Sequence, residues 1–131
     1  MIYLPPFAAL RNSIRLVSSK GQIKVDLTYD DFLDLVKKLL VVVPIDEAWY
    51  RAAYPDVDSA IRAGTYRSAR QHFVEHGYFE GRRPFEIEVD EAAYLRRYPD
   101  VADSVNKGLV ESGREHFARN GYQEGRIPSD L

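Results

Sequence analysis

Histidine is the side chain best suited to chemistry near neutral pH, and this chain has three: His72, His76 and His116. A metal site would need further ligands at a workable spacing. His76 follows His72 by one helical turn, but Asn120 fills the matching place after His116. With no cysteine and no H-E-x-x-H pattern, neither a metal nor another cofactor is expected. The histidines read instead as braces, hydrogen-bonded to a backbone carbonyl or to the carboxylates of Asp56 and Asp100. Ser68 and Ser112 lack the surroundings of a nucleophile elbow and read as helix caps. Glu80 and Arg82 flank Gly81, as Glu124 and Arg126 flank Gly125. A positive φ at each glycine would let the arginine reach a nearby carboxylate. An anion clamp is the competing use, weakened by the glutamate beside each arginine. There is no glycine-rich phosphate loop and no dinucleotide fingerprint. No catalytic residues are expected, and the chain reads as a non-enzyme.

These candidates come in pairs because the chain contains one module twice. Asp46–Pro84 and Asp90–Pro128 align without a gap at an offset of 44, with 19 of 39 positions identical. The shared residues spell D-E-A-x-Y-x3-Y-P-D-V, then Gly, then S-x-R-x-H-F, then G-Y-x-E-G-R-x-P. A period of this length argues for stacked supersecondary units, which usually bind or scaffold. Doubled residues at one structural slot suit fold maintenance better than a single asymmetric catalytic site.

The string Y-x3-Y-P-D-V … H-F-x3-G-Y-x-E-G-R-x-P resembles a short helical repeat of bacterial proteins, usually written Y-L-x2-N-P-D-V … H-Y-x3-G-x2-E-G-R-x-P. It is met in polysaccharide-associated glycosyltransferases and in large secreted calcium-binding-repeat proteins, as an accessory module beside the catalytic part. The resemblance covers residues 46–128. Tyr54 and Tyr98 stand where the common form has Asn, and Phe73 and Phe117 where it has Tyr. It implies a bacterial source and a link to surface polysaccharide production, and offers no catalytic residue to carry over.

The elements that must position these residues follow from local pattern. Ile14–Ser18 and Gln22–Leu27 are strand-like runs around Ser19-Lys20-Gly21, with Ile23, Val25 and Leu27 alternating against Lys24 and Asp26. That period predicts a half-buried hairpin. Two strands alone are marginal in water, so the hairpin needs a further surface, either the following helix or a second copy of the chain. A helix is predicted over Tyr29–Val43, capped by Thr28, with Asp30 and Asp31 in its first turn. Phe32, Leu35, Val36, Leu39, Leu40 and Val43 form its apolar stripe, and Pro44 stops it.

Each repeat then reads as three short helices. Asp46 and Asp90 cap the first. Pro55 and Pro99 restart the chain at the first turn of the second, and Gly64 and Gly108 end it. Ser68-x-x-Gln71 and Ser112-x-x-Glu115 open the third as capping boxes, with left-handed stops expected at Gly77 and Gly121. Two-turn helices cannot persist alone, so Tyr50, Tyr54, Phe73 and Tyr78 are expected in the core. The competing use is a groove between repeats in which tyrosines stack on sugar rings or a peptide.

The fold expected is mainly α: residues 1–44 form a hairpin plus amphipathic helix for capping or oligomerisation, residues 45–88 one helical repeat and residues 89–131 another. The net charge of −2 and pI near 5.9 lack the basic excess of a nucleic-acid surface. The longest apolar run, Leu39–Pro44, is about a third of a membrane span, and no secretory signal is read at the N-terminus. The expected role is a cytoplasmic protein-interaction or scaffolding module that forms a homo-oligomer and has a protein partner. The surface proposed for this is Trp49, Tyr66, Phe79, Arg82 and Arg126. The alternative is a small carbohydrate-binding protein using its tyrosines and Trp49.

Overall fold

Lys20 and Gly21 both adopt positive φ, 49° and 74°, the backbone of a two-residue type I′ turn. The computed structural model, which describes residues 3–130, accordingly pairs β1 (Arg15–Ser19) with β2 (Gln22–Asp26) antiparallel. The register runs from Arg15 opposite Asp26 to Ser19 opposite Gln22. Because side chains alternate, Leu16, Ile23 and Val25 share one face and Arg15, Lys24 and Asp26 the other. The expected half-burial is not met. Every residue of β2 is exposed, with Ile23 at 75% and Val25 at 52%. Alternation makes a two-faced ribbon; it does not supply the cover. Preceding the hairpin, α1 (Phe7–Asn12) starts after the extended Pro6 and buries none of its residues.

Helix α2 spans Tyr29–Leu40, and the Thr28 side chain accepts the Asp31 amide, as expected of a cap. It ends three residues earlier than the predicted Val43. The ring of Pro44 would meet the carbonyl of Leu40 in a continued helix, and a residue before proline avoids helical backbone. Residues 41–43 instead close in tighter turns, with Val42 donating to Leu39 and Val43 to Leu40. Only part of the predicted stripe is covered: Leu40 is buried and Val36 and Val43 pack beside it, while Phe32 and Leu39 stay exposed.

The described residues divide into two units, 3–85 and 86–130, each holding one repeat. In the first, α3 (Glu47–Ala53) is capped by Asp46, which accepts from the Trp49 amide, and α4 (Pro55–Arg62) begins on its proline. Helix α5 (Ala69–His72) is capped by Ser68 and continues as a wider π turn, Phe73–Gly77. The second unit repeats this as α6 (Glu91–Arg97), α7 (Pro99–Asn106) and α8 (Gly113–His116) with the π turn Phe117–Gly121. The mainly α architecture with an N-terminal hairpin is therefore observed.

Each unit has its own core. Tyr50, Val57, Ala69 and Phe73 are buried in the first with Leu40, while Tyr94, Val101 and Phe117 are buried in the second. Tyr54 is half-buried, and Tyr78 sits at the rim, 44% exposed, with its ring edge-on to Phe73.

The reason for glycine at 77 and 121 differs from the one expected. Neither adopts a positive φ; Gly81 and Gly125 do, at 81° and 75°. A Cβ at Gly77 would fall on the Tyr50 hydroxyl and come within 3.1 Å of His72 Nδ1. At Gly121 it would fall on the Tyr94 hydroxyl. Close approach, not chirality, excludes a side chain there.

Candidate functional site

The repeated polar residues of the first unit converge around Tyr50. Its hydroxyl and His72 Nδ1 share a buried hydrogen bond of 2.9 Å. Burial pushes the Tyr50 phenol well above its ordinary range and holds His72 below 6.5. With His72 neutral, the Glu80 Oε1 carboxylate 3.9 Å from Nε2 favours the tautomer with its proton there, in which the phenol donates to Nδ1. The histidine partner is thus a tyrosine, not the expected backbone carbonyl or the carboxylate of Asp56. Asp56 sits at the exposed start of α4, where Arg82 takes both its oxygens at 2.9 and 2.7 Å.

Arg82 also donates from Nε to Glu80 at 3.0 Å and lies over the Tyr54 ring at 4.9 Å. This guanidinium holds the Asp56 carboxyl at about 2. The Tyr54 hydroxyl accepts the Arg83 amide at 2.9 Å, fixing the turn that carries the arginine.

The second unit reproduces the arrangement. Tyr94 and His116 Nδ1 are 2.9 Å apart. Arg126 holds Asp100 through two bonds of 2.9 and 2.8 Å, donates to Glu124 at 2.6 Å and covers the Tyr98 ring. Among the described residues, no buried side-chain nitrogen or oxygen lacks a partner. In each unit the cluster braces three helices through these bonds.

Arg82 and Arg126, placed on the interaction surface by the sequence, are engaged inside their own repeats. Trp49 is half-buried, edge-on to Tyr54, with the Arg83 guanidinium 5.3 Å from its ring centre. Tyr66 packs edge-on to His72 at 4.9 Å and lies near His76 at 5.9 Å. Phe79 is exposed, flanked by Tyr78 at 5.5 Å and Lys37 at 5.9 Å. Trp49 and Arg82 thus both meet Tyr54, while Tyr66 and Phe79 sit in separate neighbourhoods of the first unit.

Three contributions had no signal at short range. The Glu47 carboxylate accepts the amides of Ala69 and Arg70 at 2.9 and 3.1 Å, and Glu91 does the same for Gly113 and Arg114. Arg70 donates to the carbonyls of Val41 and Val43, both at 3.0 Å, tying the end of α2 to the first repeat. The third is the uncovered apolar surface of the N-terminal segment: Tyr3, Leu4, Phe7, Leu16, Ile23, Val25, Tyr29 and Phe32 are all exposed.

Two open hollows accompany these features. One of about 330 Å3 is lined by Val41, Arg67, Ser68, Arg70, Gln71, Val74 and Glu75. The other, of about 480 Å3, is lined by Asn12, Ser13, Ile14, Arg15, Asp26, Leu27, Thr28 and Asp31. Neither of these two is lined by Trp49 or a tyrosine. Among the described residues, no helix is long and apolar enough to cross a membrane. Family models, curated proteins and solved structures were each compared with this chain, and none matches it.

Proposed function

We propose that this chain is a non-enzymatic protein-interaction or scaffolding module of a bacterial assembly, linked to polysaccharide production and working in the cytoplasm. One observation carries the reading. The repeated polar groups are bonded within their own repeats, whereas apolar side chains stand uncovered from Tyr3 to Phe32. So many exposed apolar side chains in one segment offer surface for a protein partner to cover, and polar groups bonded within their own repeats offer little to a substrate. Of the two hollows described, neither is lined by Trp49 or a tyrosine on which a sugar ring could stack.

Lysine cross-linking of the full chain in lysate of its native host, followed by mass spectrometry, tests this. Protein cross-links concentrated at Lys20, Lys24 and Lys37 are expected. A glycan that raises the melting temperature, with the gain abolished by Trp49→Ala, would overturn the proposal in favour of carbohydrate binding.

A further inference from the structure

We infer that the outer edge of β2 pairs antiparallel with β2 of a second copy of this chain, about a two-fold axis through Val25. This rests on the interaction reading above and names one partner for it. In a two-residue hairpin the closing pair, here Ser19 and Gln22, exchanges both backbone bonds. Gln22, Lys24 and Asp26 therefore aim their amides at β1. Ile23 and Val25 aim theirs outward, at an edge whose five residues are all exposed.

A dyad at Val25 matches that phase and sets Val25 opposite its own copy. It also sets Lys24 opposite Asp26 and Ile23 opposite Leu27, each reciprocally. Opposite charges face each other twice, and apolar residues face apolar ones. Other registers lose this. A dyad at Lys24 opposes two lysines and presents the wrong backbone groups, and one at Ile23 opposes Lys24 to Gln22. On the outer edge of β1, dyads at Leu16 or Ser18 place Arg15 or Val17 against uncharged residues. The favoured pairing also extends the ribbon from two strands to four, past the threshold at which an isolated sheet becomes stable. Leu16, Val25 and their two copies then form one continuous apolar row across it.

Sedimentation of the full chain from about 1 to 100 µM tests the pairing, since a dimer of micromolar affinity forms within that range. Val25→Pro removes an outward amide without breaking a bond to β1, a placement that edge strands accept. Lys24→Asp opposes aspartate to Asp26 twice, and adding Asp26→Lys restores opposite charges. We expect a wild-type dimer, association weakened about tenfold or more in each single variant, and recovery in the double variant. Circular dichroism confirms that each remains folded, and the charge pair carries the test if Val25→Pro does not. A monomeric wild type, or a dimer indifferent to these changes, overturns the pairing. Either result leaves the broader interaction reading to the cross-linking experiment, which a glycan-dependent outcome would separately overturn.

Discussion

Replacing Gly77 by alanine tests whether the histidine–tyrosine brace organises the repeat. The added methyl would occupy the place of the Tyr50 hydroxyl and approach His72 Nδ1 to 3.1 Å. Overpacking a close-fitted interior costs about 1–3 kcal/mol. Forcing the phenol off Nδ1 leaves buried polar groups unpaired, at about 1–3 kcal/mol more. Helix propensity returns roughly 1 kcal/mol. The expected net loss is about 3 kcal/mol, drawn from those three contributions. Trp49, the single tryptophan, packs against the first core, so its fluorescence during urea unfolding reports this unit.

The decisive comparison is a double-mutant cycle with Tyr50→Phe. Alone, that change strands His72 Nδ1 and should cost about 1–2 kcal/mol. It also vacates the space that the alanine methyl needs. The double variant should therefore be scarcely less stable than Tyr50→Phe, giving a coupling of about 3 kcal/mol, nearly the whole loss of Gly77→Ala alone. Additive losses, or a Gly77→Ala protein as stable as wild type, would refute the claim that close approach to the phenol excludes a side chain.

Arg82→Lys should lower stability by about 1 kcal/mol, since lysine cannot make the paired bonds to Asp56 or stack on Tyr54, and partial exposure limits the loss; the urea midpoint measures it. Glu47→Ala should cost about 1 kcal/mol by freeing two amides at the start of α5, and protection of the Ala69 and Arg70 amides from hydrogen exchange should fall. Acid should destabilise the first unit in two steps. Unfolded His72 takes up its proton near 6.5 and the folded side chain only at lower pH, so its contribution is complete above 6.5 and lost as pH falls. The Asp56 contribution is present above 3.8 and lost as pH falls towards about 2. His72→Gln should flatten the first step in a series of urea midpoints against pH and leave the second.

What could be read from the sequence was what a few neighbouring residues decide. Thr28, Asp46 and Ser68 cap the helices they precede, Pro55 restarts one, and Gly81 adopts the positive φ its turn requires. The 44-residue offset predicted that both repeats would fold alike, and they do. What escaped were contacts between residues distant in the chain. Tyr50 meets His72 across 22 positions and Glu47 meets Ala69 across 22, and no periodicity encodes a partner at that range. The partner of His72 and the close approach that constrains Gly77 are therefore not legible in the sequence. The bare hairpin illustrates a related gap, because alternating residues say which face is apolar without saying what lies against it.

The two ends of each repeat meet: the amide of Asp46 donates to the Pro84 carbonyl at 3.1 Å, and that of Asp90 to Pro128 at 3.0 Å. A segment whose entrance and exit lie side by side can be spliced into a surface loop of an unrelated host without stretching it. Its helices carry their own core and caps, so little has to be borrowed from the recipient. Tandem copying is then an easy genetic event, and the 44-residue spacing is the footprint such copying leaves.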